Sequence, residues 1–137
     1  MKKILSLTTL LISILLISGC SLVEFKDADL DVPTISVSSS SIVDEKFSST
    51  IAADKKSNDP IGENHSPALS WEAVKDANYY AVIMFDETAN WLHLFVTDII
   101  DTQLSEGTYT DTNTYIGPYP SKSSGEHTYR IEVFAIK

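Results

Sequence analysis

The chain has one cysteine, Cys20. No disulfide can form within it, and it offers no cysteine cluster for a metal. A fold exported to an oxidising compartment would have to stand without staples. Positive charge is scarce too: Lys and Arg number 10 against 19 Asp and Glu. Nucleic-acid binding needs a basic footprint, so no nucleic-acid partner is expected. No glycine motif for a phosphate loop or a dinucleotide occurs. No G-x-S-x-G elbow singles out one of the many serines, and neither an enzyme nor a cofactor is expected. No segment carries a long amphipathic helical period, and no internal repeat is visible.

What is present starts with a targeting segment. Lys2 and Lys3 precede an apolar or hydroxylated run, Ile4 to Ile17, that is uncharged. Its 14 residues fall short of the ~20 that span a bilayer as a helix. Ile17-Ser18-Gly19-Cys20 then sets small residues before the cysteine. This pattern reads as a lipoprotein signal over residues 1–19. The Cys20 thiolate takes a diacylglyceryl group, the peptidase cuts before it, and the membrane becomes a partner through the lipid. The expected location is the extracytoplasmic face of a bacterial cell membrane. Losing Lys2 and Lys3 takes the net charge from −9 to −11. Residues 20–33 are polar and acidic, end in Pro33, and read as a tether. Residues 34–137 are enough for one domain with one core.

That domain reads as strands. Thr34 to Val43 is rich in β-branched residues and serine, and Ser49 to Ala53 is short. Tyr79 to Phe85 is almost wholly apolar, as in a central strand covered on both faces, and Leu92 to Ile100 is similar. Tyr129 to Ile136 alternates at first, with Tyr129, Ile131, Val133 and Ala135 on one face. Asn58-Asp59-Pro60, Gly107, Gly117-Pro118 and Ser124-Gly125 mark turns, and Glu72 to Asn78 has room for one helical turn. The fold class is all-β, a sandwich.

Three stretches hold most of the polar chemistry. They are Gly62 to Trp71, Asp86 with Trp91-Leu92-His93, and Gly117-Pro118-Tyr119-Pro120 leading to Gly125 through Tyr129. Asp86 ends an apolar strand, and His93 and His127 each sit near a strand start, where loops build sites. A carboxylate and two imidazoles around one cavity would hold an oxyanion or a hydroxyl. Zinc is not expected: His65 would have to join His93 and His127, and no H-x-x-x-H spacing exists.

The same residues resemble the phosphatidylethanolamine-binding proteins in their bacterial, Raf kinase inhibitor-like form. That family writes G-x-N-x-S-P-x-L-x-W, which Gly62 to Trp71 fits. It follows with a strand ending in D-P-D-x-P. Asp86 takes the first acidic position, Thr88 stands at the second, and Glu87 and Asn90 replace the prolines. Trp91 and His93 match a Trp–His strand opening. Gly117, Pro118, Pro120, Gly125, His127 and Tyr129 match G-P-x-P and G-x-H-R-Y, with Thr128 in place of the arginine. Family chains run several tens of residues further, so the resemblance implies a β-sandwich shortened at its C-terminus. It also implies a ligand pocket of Asp86, Trp91, His93, Gly117, Pro118, His127 and Tyr129. Such a pocket suits a small anionic or phosphorylated ligand, and family members are also described as inhibitors of protein partners. A rival resemblance is to fibronectin type III-like adhesion or scaffold modules. It rests on Leu69 to Val74, Ala77 to Val82 and Tyr129 to Val133.

If Cys20 carries lipid, Cys20→Ser releases the protein from the membrane fraction or leaves an unprocessed precursor. A variant that fractionates and migrates like wild type rules the lipid out.

Overall fold

The structure, a computed structural model, describes residues 33–58 and 61–137. The signal segment, Cys20 and most of the tether lie outside the described residues. Thr34–Lys137 forms one compact unit. Its described elements are all strands save one 3-10 turn at Ser49–Ile51. The strands are β1 (Val37–Ser38), β2 (Ile42–Val43), β3 (Lys46–Phe47), β4 (Leu69–Trp71), β5 (Tyr79–Asp86), β6 (Trp91–Ile99), β7 (Gln103–Leu104) and β8 (Tyr129–Ile136). They pair antiparallel into two three-stranded sheets, β1-β4-β7 and β6-β5-β8, and a hairpin of β2 and β3.

Strand alternation explains the core. On β5 the residues Tyr80, Val82 and Met84 share one buried face, and Asp86 continues the series at the strand's end. Leu69 and Trp71 of β4 belong to the same cluster, and Trp71 meets Tyr80 edge-on at 5.4 Å. Leu94 and Val96 of β6 complete the facing wall, and Ile131 and Val133 of β8 pack against it. Both three-stranded sheets thus share one hydrophobic core.

Several sequence expectations are corrected. Thr34 to Val43 is not one strand: it breaks into β1 and β2, which belong to different sheets. Ser49 to Ala53 is a 3-10 turn closed by Ile51 N–H to Ser48 O and Ala52 N–H to Ser49 O. Glu72 to Asn78 makes a turn, with Ala77 N–H on Val74 O, and no helix. β6 is covered on one face only. Phe95 is 56% exposed and Leu92 49%, because β6-β5-β8 turns its other face outward. β7 is too short to announce itself in composition.

The long segment between β7 and β8 carries a wall of the later site, and the Gly62 to Trp71 stretch holds it. Asn64 is buried with φ 55°, a conformation Asn adopts more readily than most residues. Its Nδ2 donates to Thr110 O at 2.8 Å and Tyr115 O at 3.1 Å, and its Oδ1 accepts the Gly117 N–H at 2.9 Å. Ser66 Oγ accepts the Tyr109 N–H at 3.0 Å. Tyr115, fully buried, donates its phenol proton to Ile51 O at 2.8 Å.

Asn64→Ala would leave two carbonyls and one N–H without partners. We expect a loss of about 3 kcal/mol on the usual cost of stranding buried polar groups. The urea midpoint should fall at unchanged slope; an unchanged midpoint would remove Asn64 from this role.

Candidate functional site

The site lies where β5 ends and β6 and β8 begin. Cross-strand register seats Asp86 between Trp91 of β6 and Tyr129 of β8. Alternation alone aims Asp86 inward, toward a cavity of about 250 Å3. That is small for a ligand pocket. Its lining is Asp86, Ala89, Trp91, His93, Tyr119, Pro120, Ser121, Ser124 and His127.

His93 reaches the cavity by a β-bulge. Met84 pairs with Leu94 and Phe85 with Leu92, which leaves His93 as the extra residue of β6. Strict alternation from the inward-facing Leu94 and Val96 would turn His93 outward. The bulge instead buries His93 and Leu94 together. The His93 carbonyl accepts the Ile116 N–H at 3.0 Å, and its Nδ1 is hydrogen-bonded to Ile116 O. A carbonyl only accepts, so Nδ1 carries the proton. In the neutral ring Nε2 is then an acceptor, 4.0 Å from Asp86 Oδ2.

Asp86 is held on both oxygens. Oδ1 accepts the Ala89 N–H at 2.8 Å, and Oδ2 faces His127 Nδ1 at 2.6 Å. Burial pushes its carboxyl up, but the His127 bond, the Ala89 N–H and the imidazole's charge outweigh this and hold it below the usual value. Burial pushes His93 down; the Ile116 carbonyl and Asp86 oppose, and His127 adds to the fall. Tyr129 lies behind the two imidazoles, edge-on to His93 at 5.4 Å and stacked on His127 at 6.3 Å. Burial, with the Asp86 carboxylate nearby, pushes its phenol up. Its Oη is enclosed and lacks a hydrogen-bond partner of good geometry.

The structure therefore gathers four of the residues singled out in the sequence, Asp86, Trp91, His93 and His127, on one cavity. It sets Gly117, Pro118 and Tyr129 outside the lining. Gly117 is a close-approach glycine: a Cβ there would stand 2.2 Å from Ile51 O. The Pro118 carbonyl accepts the Ala53 N–H at 3.0 Å and so braces the wall from behind. The lining of that wall comes from Tyr119, Pro120, Ser121 and Ser124 instead. His65 stays away, beside Glu63 at 3.8 Å.

Sequence reasoning had not found Ser124. Its Oγ is 3.0 Å from His127 Nε2, while His127 Nδ1 holds Asp86. A serine three residues before the histidine was visible. What the sequence hid was that the turn closed by Ser124 N–H on Ser121 O folds the hydroxyl back onto the ring.

A small cavity with convergent polar groups and an aromatic mouth, at strand ends of an all-β domain, is the arrangement expected of a ligand-binding module. The family model described as phosphatidylethanolamine-binding protein matches residues 29–137, and the chain belongs to that family. No curated protein matches the sequence. The comparisons give no support to the fibronectin type III-like alternative.

Acid should destabilise this site in two separate ranges. The folded His93 titrates below its ordinary value of 6.5. The unfolded chain therefore binds the proton first, and the His93 contribution, complete above about 6.5, is lost as pH falls toward the folded value. Asp86, also lowered in the folded state, contributes above its ordinary 3.8 and is lost only in stronger acid. Between pH 7.5 and 5, wild type should lose more thermal stability than His93→Gln. Equal losses would show that His93 does not carry the effect.

Proposed function

We propose that this protein is a binding protein whose cavity takes a small phosphate-bearing head group. Family membership fits a binding role. The observation that supports the finer reading most directly is the convergence of Asp86, His93 and His127 on one small cavity. His127, fixed by Asp86 at Nδ1, holds Nε2 at the cavity wall, 3.0 Å from Ser124 Oγ. When protonated, that nitrogen and His93 Nε2 both become donors to an oxyanion. Trp91, 48% exposed, and Tyr119, 42% exposed, offer aromatic faces at the mouth, which suit an ammonium group. A phosphoethanolamine moiety carries both charges.

The same reading extends to location. Cys20, behind a short uncharged apolar run, supports a lipid anchor on the extracytoplasmic face of a bacterial membrane, in line with the Raf kinase inhibitor-like branch. From there the protein meets head groups directly, and a protein partner would be inhibited over the same surface. The whole-chain charge of −9 opposes free anions.

The expected affinity is millimolar, a gain of ~4 kcal/mol at standard state. Phosphoethanolamine is titrated by NMR at pH 5.5 and 7.5. His93 and His127 ring resonances should shift, with tighter binding at pH 5.5, where added protons supply the donors an oxyanion needs. Rings that ignore the ligand at both pH values, or tighter binding at pH 7.5, would overturn the reading.

A further inference from the structure

Ser124, His127 and Asp86 form a linear relay. Asp86 Oδ2 lies 2.6 Å from His127 Nδ1, and His127 Nε2 lies 3.0 Å from Ser124 Oγ. The carboxylate is buried, the ring is shielded with 9% of its side chain exposed, and the serine is exposed at the cavity. This is the order of roles that activates a serine: an orienting acid, a base with the correct tautomer, a nucleophile within reach. Such a set is recognised by geometry rather than by sequence position.

We propose that Ser124 is an activated nucleophile that accepts the acyl group of small uncharged carboxylic esters. The proposal adds chemistry to the cavity and does not rest on head-group binding. The bonds that hold Asp86 and His93, to Ala89, His127 and Ile116, do not involve Ser124.

Ser124 has one hydroxyl proton and two acceptors for it. It donates either to Ser121 O at 2.7 Å or to His127 Nε2 at 3.0 Å. In the first arrangement Nε2–H donates to Oγ and the ring is an imidazolium. In the second the ring is neutral and poised to take the proton. Reaction starts from the second. Ser124 Oγ bonds to the ester carbonyl carbon as its proton passes to His127 Nε2. The acyl–alkoxy C–O bond then breaks, and the departing alkoxide takes that proton from Nε2. Water, deprotonated by the same nitrogen, cleaves the Ser124 ester, returns the proton to Oγ and releases the carboxylic acid. No oxidant or cofactor enters.

The substrate class follows from the walls. Ala89, Trp91, Tyr119 and Pro120 are apolar or aromatic and favour an uncharged acyl group. The buried Asp86 carboxylate and the chain's net charge of −9 disfavour anionic esters.

The full chain is treated with a fluorophosphonate probe and, separately, with p-nitrophenyl acetate. We expect one covalent adduct, mapped by peptide mass spectrometry to Ser124, and a burst of p-nitrophenolate equal to the protein present. Ser124→Ala, at an exposed turn, should fold normally and lose both signals. His127→Gln should slow labelling about 100-fold or more, the usual contribution of a general base. Its fold is checked by far-UV circular dichroism. Ser123→Ala, one residue away and hydrogen-bonded to Ser121 at 3.2 Å, should label as wild type does. No adduct on the native chain, an adduct on another residue, or equal labelling of a folded His127→Gln would overturn the proposal.

Discussion

A carboxylate taken out of water costs several kcal/mol unless its lone pairs are met, and Asp86 sits 3% exposed at the end of the central strand. The surroundings of the cavity are largely the answer to that cost. The turn after β5 bends so that the Ala89 N–H reaches Oδ1, and the segment before β8 brings His127 onto Oδ2. The same turn is tied to the opening of β8 by the Glu87 N–H on Thr128 O and the Thr128 N–H on Thr88 Oγ1. With those bonds made, the charged form of Asp86 is the favoured one even though burial works against it. The charge in turn fixes which nitrogen of His127 faces the cavity.

A second constraint is backbone crowding around the 3-10 turn. Gly62 and Gly117 both press against its chain: added Cβ atoms would lie 1.9 Å from Ala52 O and 2.2 Å from Ile51 O. Side chains there would push the wall away. Asn64 bridges the two glycine-bearing segments with hydrogen bonds to Thr110, Tyr115 and Gly117. The cavity's far side is thus positioned by residues that do not line it. This is why a motif of small and amide residues, Gly62 to Ser66, can be read as part of the site while supplying none of its lining.

The long strands were legible because period-2 patterns and apolar runs report burial directly. Tyr80, Val82 and Met84 predict where Asp86 points. The short strands were not legible. β1, β2, β3 and β7 span two residues each, too few for alternation to show; β1 and β7 form only by pairing with the distant β4, while β2 and β3 pair with each other in a tight hairpin. The His93 bulge is the instructive case. Local alternation gives the wrong face, and only the register against β5 turns the imidazole inward. Gly117 and Pro118 were conspicuous for the opposite reason. Their conformational character marks a close approach, which sequence alone cannot distinguish from a pocket wall. Ser124 was hidden among many serines because a turn, not a strand, aims it.

The order of protons in the cavity then limits what can bind there. At neutral pH His93 donates through Nδ1 to Ile116 O and offers an acceptor at Nε2, while Asp86 is already committed to Ala89 and His127. The deepest groups therefore present acceptors, and a fully ionised anion would meet lone pairs rather than donors. Such an anion must bring protons in, either its own or those that acid adds to the imidazoles. A ligand with an ammonium end avoids half of that cost, because Trp91 and Tyr119 need no proton to receive it. On the head-group reading, net-neutral zwitterions are therefore favoured over free phosphate. The reason is the direction of the hydrogen bonds rather than the number of charges, since a cavity open to solvent weakens each charge pair.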